Sequence, residues 1–222
     1  MNQTFWQERW ATRQIGFHEG KPNDLLAQHI ALLDGRKRVL VPLSGKAADM
    51  LFLASRGMQV VGVELIEEPC REFFEDNAIA YRREGNRFVS EDGRINIECG
   101  DMLACTRDVL GTFDAVYDRA ALVALDPSLR RAYVDTIARM LEPAARTLLV
   151  TFTYDQSKIN GPPWSIADAD VLALYGAQGA QAAQGGARIE RLATRALVPR
   201  PKFIARGVTE ESESLFVIDR AS

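Results

Sequence analysis

A carboxylate at the end of a strand, shortly after a glycine turn, is the strongest chemical signal in this chain. Glu64 closes the run QVVGVE (59–64), and the turn PLSGK (42–46) stands before it. Open α/β sheets bind ligands beyond the carboxyl ends of their strands, so Glu64 is placed to accept hydrogen bonds from a ribose diol. The competing reading is an ordinary βαβ unit that carries a chance glutamate. The G-x-G-x-x-G loop that cradles a pyrophosphate is absent, which leaves room for a nucleoside without phosphates. Other groups could join such a site. Phe5, Trp6 and Trp10 share one face if 4–11 is helical. With Phe17 they suit either a staple on the core or a lid over a cationic ligand, because aromatic faces attract cations. Arg119, directly after FDAVYD (113–118), could clamp a carboxylate in bidentate fashion, or pair with Asp118 or Asp126 as scaffold. Trp164 in YDQSKINGPPWS (154–165) offers an apolar wall, or simply belongs to a turn before a helix capped by Ser165. Lys202 lies in a basic loop with Arg200 and Arg206, either as solvated charge or as a cation facing a substrate. His18, alone, reads as a structural hydrogen-bonder.

The elements that must position these groups follow from hydrophobic spacing. Val39–Val41 is an apolar run suited to a strand buried on both faces, and Pro42 ends it. Residues 46–56 carry apolar side chains at helical spacing, Gly57 stops that helix, and 59–63 is the second strand. Asn23 caps a helix over 24–33. A helix over 67–78 turns Cys70, Phe73 and Phe74 inward. Arg87–Ser90 and Arg94–Glu98 form a hairpin about Asp92-Gly93. A helix over 127–141, with Pro127 in its first turn and Pro143 as its stop, precedes a buried strand over 146–153. A helix over 166–175 and two late strands, 188–198 and 215–218, close the pattern. GAQGAQAAQGG (176–186) reads as a flexible glycine-rich connection.

PLSGKAADMLFLASRGMQVVGVE (42–64) resembles the signature region of the thiopurine S-methyltransferase family, where PLCGK precedes a helix and VVGVE; Ser44 stands where the family often has Cys. WQERW (6–10), IGFHEG (15–20), FDAVYDRAALVAL (113–125) and TYDQSKINGPPWS (153–165) extend the likeness over most of the chain, in order. The resemblance implies one Rossmann-like class I methyltransferase domain over 1–222. It would have a mostly parallel seven-stranded sheet with an antiparallel last strand, helices on both faces and an N-terminal helical arm. Residues 1–20 would be a lid arm, 36–155 the donor-binding core, and 156–222 the acceptor-side loop, helix and final strand pair. It implies S-adenosyl-L-methionine as methyl donor, S-adenosyl-L-homocysteine as product, and a small thiol or selenol as acceptor. Trp10, Leu43, Glu64, Asp101, Met102 and Arg119 would hold the donor, with Asp101 and Met102 at the adenine. Asp101 could equally be a helix cap. Phe17, Trp164 and Lys202 would face the acceptor, and Asp155 could take a proton from a neutral thiol. A nicotinamide-dependent oxidoreductase and a non-catalytic nucleoside-binding module are the competing functions on such a scaffold.

Composition narrows the field. A net charge of −3 gives no phosphate-tracking surface, so no nucleic-acid partner is expected. Cys70, Cys99 and Cys105 have neither CxxC spacing nor a histidine cluster, so neither a metal site nor a disulfide framework is expected. The N-terminal segment is polar and aromatic, and no apolar run approaches the ~20 residues of a membrane helix. A cytoplasmic monomer is the expectation.

Overall fold

Strand β1 (Arg38–Pro42) buries Val39, Leu40 and Val41, and β2 (Gln59–Glu64) buries Val60, Val61 and Val63. Neither strand alternates, as the centre of a sheet covered on both faces requires. They pair in parallel with Arg38 opposite Gln59, and β2 pairs in parallel with β5 (Ile95–Cys99), Glu64 falling opposite Cys99. The computed structural model describes residues 2–176 and 187–220, so all of the 176–186 connection except Gly176 lies outside the described residues. Contacts divide the chain into two compact units, up to Ala115 and from Val116.

In the first unit, α1 (Gln3–Ala11) is capped by Asn2, whose side chain accepts from Phe5 N. Asn23 caps α2 (Asp24–His29) as its sequence position suggested, and a 3-10 turn, Ile30–Leu33, completes that helix. The crossover helix α3 (Asp49–Ser55) starts three residues later than the periodicity of 46–56 predicts, because Lys46–Ala48 remain in the turn. Its buried Asp49 accepts from the backbone N–H of Asn23 at 2.7 Å. Helix α4 (Glu67–Asp76) turns Cys70, Phe73 and Phe74 inward. Phe74 stacks on Tyr81 at 4.9 Å and on Phe88 at 6.4 Å. Those two rings belong to β3 (Tyr81–Glu84) and β4 (Arg87–Ser90), which pair antiparallel, and β4 pairs with β5 across the Asp92-Gly93 turn. The order here is β3-β4-β5-β2-β1-β6, where β6 (Phe113–Arg119) carries the unit boundary. A short helix, α5 (Arg107–Leu110), precedes β6.

In the second unit, α6 (Pro127–Ala138) begins with Pro127 and is capped by Asp126. It ends before 141, and β7 (Leu141–Tyr154) runs through Pro143, which therefore does not stop a helix. Pro143 is tolerated because the ladder with β9 (Glu211–Arg220) begins only at Arg146, opposite Asp219. Arg220 donates to the carbonyls of Ala138 and Leu141 where the helix gives way to the strand. Helix α7 (Asp168–Tyr175) is not capped by Ser165. The Asp170 carboxylate accepts from Ala167 N, while Ser165 Oγ accepts from Tyr154 N. Strand β8 (Ala187–Leu197) pairs antiparallel with β9, and the basic stretch contains a helical turn, α8 (Pro201–Ile204). The order is β6-β7-β9-β8.

The fold is thus the expected α/β type with an N-terminal helical arm, but with nine strands among the described residues where seven were expected. The excess is the hairpin edge. β3 has no signature in the sequence because YRRE has no apolar alternation; its burial comes from Tyr81 meeting Phe74 and Phe88. Antiparallel pairing occurs at β3-β4-β5 as well as in the β7-β9-β8 strands.

Asp118 near the end of β6 is fully buried and accepts from Tyr133 Oη at 2.6 Å and Leu122 N at 3.1 Å. Burial pushes its carboxyl up to about 6 against those hydrogen bonds. Its pKa lies above the unfolded value, so the stability tied to its proton is present at low pH and lost as pH rises through 6. Tyr133→Phe removes a donor to the ionised form and should cost about 1–3 kcal/mol in urea unfolding. The loss should be larger at pH 8 than at pH 5, and an equal loss at both would show that the hydroxyl does not serve the carboxylate.

Candidate functional site

The PLSGK turn follows β1 with two residues in the left-handed region, Leu43 (φ 46°) and Gly45 (φ 49°). A non-glycine residue there is strained, and such strain gathers at sites where surrounding contacts over-determine the backbone. Ser44 N donates to Val63 O at 2.9 Å, so the turn folds back along β2. Gly62 permits that approach: a Cβ there would lie 2.7 Å from Ser44 Oγ and 2.9 Å from Met50 Sδ. Ser44 Oγ is buried with no hydrogen-bond partner among the described residues. This is the position where the family often has Cys, whose thiol is less costly to bury unpaired.

Glu64 organises the strand ends. Its side chain accepts from Gly45 N at 2.9 Å on one oxygen and from Ile66 N at 2.9 Å on the other. Its carbonyl accepts from Gly100 N at 2.8 Å, which joins the end of β5 to the same point. The residue is 7% exposed, and burial pushes its carboxyl up to about 7 despite the backbone donors. Each oxygen has a second lone pair, so a diol could still be received.

Trp10, 2% exposed, lies on this turn. A Cβ at Gly45 would come within 3.0 Å of Trp10 Cζ2 and 3.9 Å of Phe17. Trp10 meets Phe17 edge-on at 5.5 Å, and Trp6 meets Phe17 at 6.0 Å. The arm therefore has the contacts of a staple, made with the protein itself. The structure brings Trp10, Phe17, Leu43 and Glu64 together about one turn. Asp101 caps the 3-10 helix Met102–Ala104 through Leu103 N at 2.9 Å, so the capping reading is realised. Met102 beside it is wholly buried.

The remaining candidates belong to the second unit. Arg119 is half-buried at the last position of β6, before Ala120 in the left-handed region (φ 61°). Trp164 N donates to Val123 O at 2.6 Å, and its ring covers Gly161, where a Cβ would lie 2.4 Å away. Tyr154 Oη donates to Pro163 O at 2.6 Å and Gln156 accepts from Ser165 N at 2.7 Å, so the 154–165 loop is held from within. Asp155 is exposed and accepts from Ser157 N and Oγ, which lowers its carboxyl pKa and makes it a weaker base. Lys202 is exposed, its Nζ 5.6 Å from the Phe203 ring. Its neighbour Arg200 pairs with the buried Glu211 and lies over Phe203 and Phe152.

The Cys70 thiol donates to Ile66 O at 3.2 Å, and its interaction with the Cys99 thiol holds Cys70 up and draws Cys99 down. They lie 29 positions apart, and only the packing of α4 on β5 brings them together. Cys105 is pushed up to about 11 by burial.

A family model described as thiopurine S-methyltransferase matches residues 1–221. The chain belongs to the thiopurine S-methyltransferase family. Its similarity to curated members is full-length: 39% identity to the thiopurine S-methyltransferase of Nitrosospira multiformis, covering 98% of each chain. The Pseudomonas fluorescens (strain SBW25) enzyme is 38% identical over 97% of this chain and 98% of its own. Among solved structures, a Burkholderia thailandensis 1,6-didemethyltoxoflavin-N1-methyltransferase with bound S-adenosylhomocysteine superposes with TM-score 0.65 at 14% identity, covering 99% of this chain and 87% of its own. TehB from Haemophilus influenzae gives 0.60 at 12% identity over 90% of this chain and 62% of its own. At such identities the likeness is one of fold. With family and fold together, the chain is an S-adenosyl-L-methionine-dependent methyltransferase.

The turn fits that donor on its own geometry. Glu64 retains acceptor capacity, Trp10 presents an aromatic ring at Gly45, and the space where Gly100 would carry a Cβ is open. A ribose diol held here would donate to the ionised carboxylate and pull the donor-bound pKa of Glu64 below the free value of about 7. Affinity for S-adenosyl-L-homocysteine should therefore rise about tenfold from pH 6 to pH 8, with a proton released near pH 7. Calorimetry in buffers of different ionisation enthalpy measures both, and a pH-independent affinity would remove Glu64 from the ribose.

Proposed function

We propose that this methyltransferase transfers the methyl group to the sulfur of a small soft nucleophile, or to selenium or tellurium, by direct in-line displacement. S-adenosyl-L-methionine supplies an electrophilic methyl group on a sulfonium whose leaving group is a neutral thioether. The observation that carries the reading is the contrast between the two sides. Glu64, Gly45 and Trp10 make a built donor turn. On the acceptor side, Asp155 is exposed and turned into a cap. A thiolate or selenolate is already a strong nucleophile and needs no strong base beside it. Positioning and exclusion of water then do most of the catalytic work.

In this reading Glu64 receives the ribose hydroxyls, Trp10 and Leu43 hold the donor from the turn, and Asp101 and Met102 face the adenine. Arg119 takes the donor's carboxylate, the role that the resemblance of FDAVYDRAALVAL to the family implies for it. Phe17 and Trp164 wall the acceptor, and Lys202 serves as a cation toward it. The partner is a small molecule, and the working form is a monomer that engages neither nucleic acid nor membrane. Among the described residues no helix is long and apolar enough to cross a membrane.

Turnover measured across a series of thiols should rise with pH until each acceptor is ionised, so that the profile follows the acceptor's own pKa. Because its interaction with Cys70 draws the Cys99 thiol down, Cys99→Ser is the sharpest check on direct transfer and should preserve turnover. Methyl label trapped on the protein, or a folded Cys99→Ser variant without activity, would contradict it.

A further inference from the structure

We infer that Glu72 is a positioning residue for the donor site: it bridges Arg13 of the N-terminal arm to Lys46 of the turn, and so holds Trp10 on Gly45 before any donor arrives. The bridge is specific in geometry. Arg13 donates through Nη1 and Nη2 to the two oxygens of Glu72, at 2.7 and 2.6 Å. Lys46 Nζ donates to Glu72 at 2.7 Å and to Asp76 at 2.7 Å. Glu68 lies 3.5 Å from Arg13 as a secondary partner. Arg13 follows Trp10 by three residues and Lys46 follows Gly45 directly, so one carboxylate on α4 fixes both sides of the Trp10–Gly45 contact.

Isolated surface ion pairs contribute little, because water screens them and long side chains lose entropy. This one differs in two ways. The Arg–carboxylate contact is bidentate, and the Glu72 and Lys46 side chains are only 10% and 11% exposed, although Arg13 is 54% exposed. One carboxylate also serves two cations, so removing it leaves Lys46 with Asp76 alone and frees Arg13 from its bidentate partner. The Arg13 hydrogen bond, with Lys46, holds the Glu72 carboxyl down at about 2. The bridge is therefore charged throughout the working pH range and is not a pH switch. Its chemistry does not require a ligand: the arm's contacts are with α4 and the turn.

The inference rests on the proposed role of Trp10 as a wall of the donor site, and the test separates the two. S-adenosyl-L-homocysteine affinity and donor KM and kcat would be measured on the full chain carrying Trp10→Ala, Arg13→Ala, Glu72→Gln and the Arg13→Ala/Glu72→Gln pair. Amide exchange of residues 3–13 would be followed with and without S-adenosyl-L-homocysteine. The expected result is a weakening of about five- to tenfold for Arg13→Ala and for Glu72→Gln, the scale of a bidentate charge-assisted contact. The pair should weaken no further than the worse single change. Donor KM should rise while kcat at saturating donor is kept. Arm amides should be protected in the wild type without ligand and lose protection in Glu72→Gln, while β1, β2 and β5 keep theirs. Additive effects, unchanged affinity in Arg13→Ala, or wild-type arm protection seen only with ligand would each overturn the bridge. Should Glu72→Gln fail to fold, Arg13→Ala on the exposed arm still decides. Unchanged affinity in Trp10→Ala would overturn the role of Trp10 and the inference with it.

Discussion

The Glu64 carboxylate, bound by the N–H of Gly45 on one oxygen and the N–H of Ile66 on the other, ties together the chain leaving β1 and the chain leaving β2. Its backbone carbonyl adds the end of β5 through Gly100. Three segments far apart in sequence thus meet at one residue. A buried carboxylate is costly unless donors surround it, and backbone N–H groups supply them without side-chain entropy. The same donors fix the geometry in which the remaining lone pairs can meet a ligand. Structural and binding roles are therefore not separable at Glu64, and the left-handed turn, strained at Leu43 and free of strain at Gly45, aims the Gly45 N–H at it.

Around that point the first unit uses charge where the sequence shows only a polar helix. Helix α4 presents Cys70, Phe73 and Phe74 inward and Glu72 toward Arg13 and Lys46. Its apolar face secures the βαβ layer and its acidic face secures the arm. Aromatic contact and ion pairing thus act on the same short stretch of the arm, residues 10–13, Trp10 through Gly45 and Arg13 through Glu72. The second unit relies on cross-strand pairs. Arg146 meets Asp219 across β7 and β9, and Arg195 meets Glu213 across β8 and β9, each at its register position.

Sequence alone determined what depends on local pattern. β1 and β2 were legible because short valine-rich apolar runs, one ended by Pro42 and the other begun just after Gly57, have few other solutions. Asn23 and Pro127 marked helix starts because capping and N1 preferences act within one turn. The family was legible from motifs that keep their order along the chain, and Glu64 from its place after VVGV. What only the tertiary structure decided depends on partners remote in sequence. Pro143 sits inside β7 because β9 asks for no hydrogen bond until Arg146. YRRE becomes a strand because Phe74 offers Tyr81 a ring to stack on. Ser165 serves Tyr154 rather than α7, because the helix starts only at Asp168 and leaves Ser165 short of its cap. The Arg13–Glu72–Lys46 bridge was not legible, since an ion-pair network is a property of three side chains brought within 3 Å from separate segments, and no spacing along one chain encodes it.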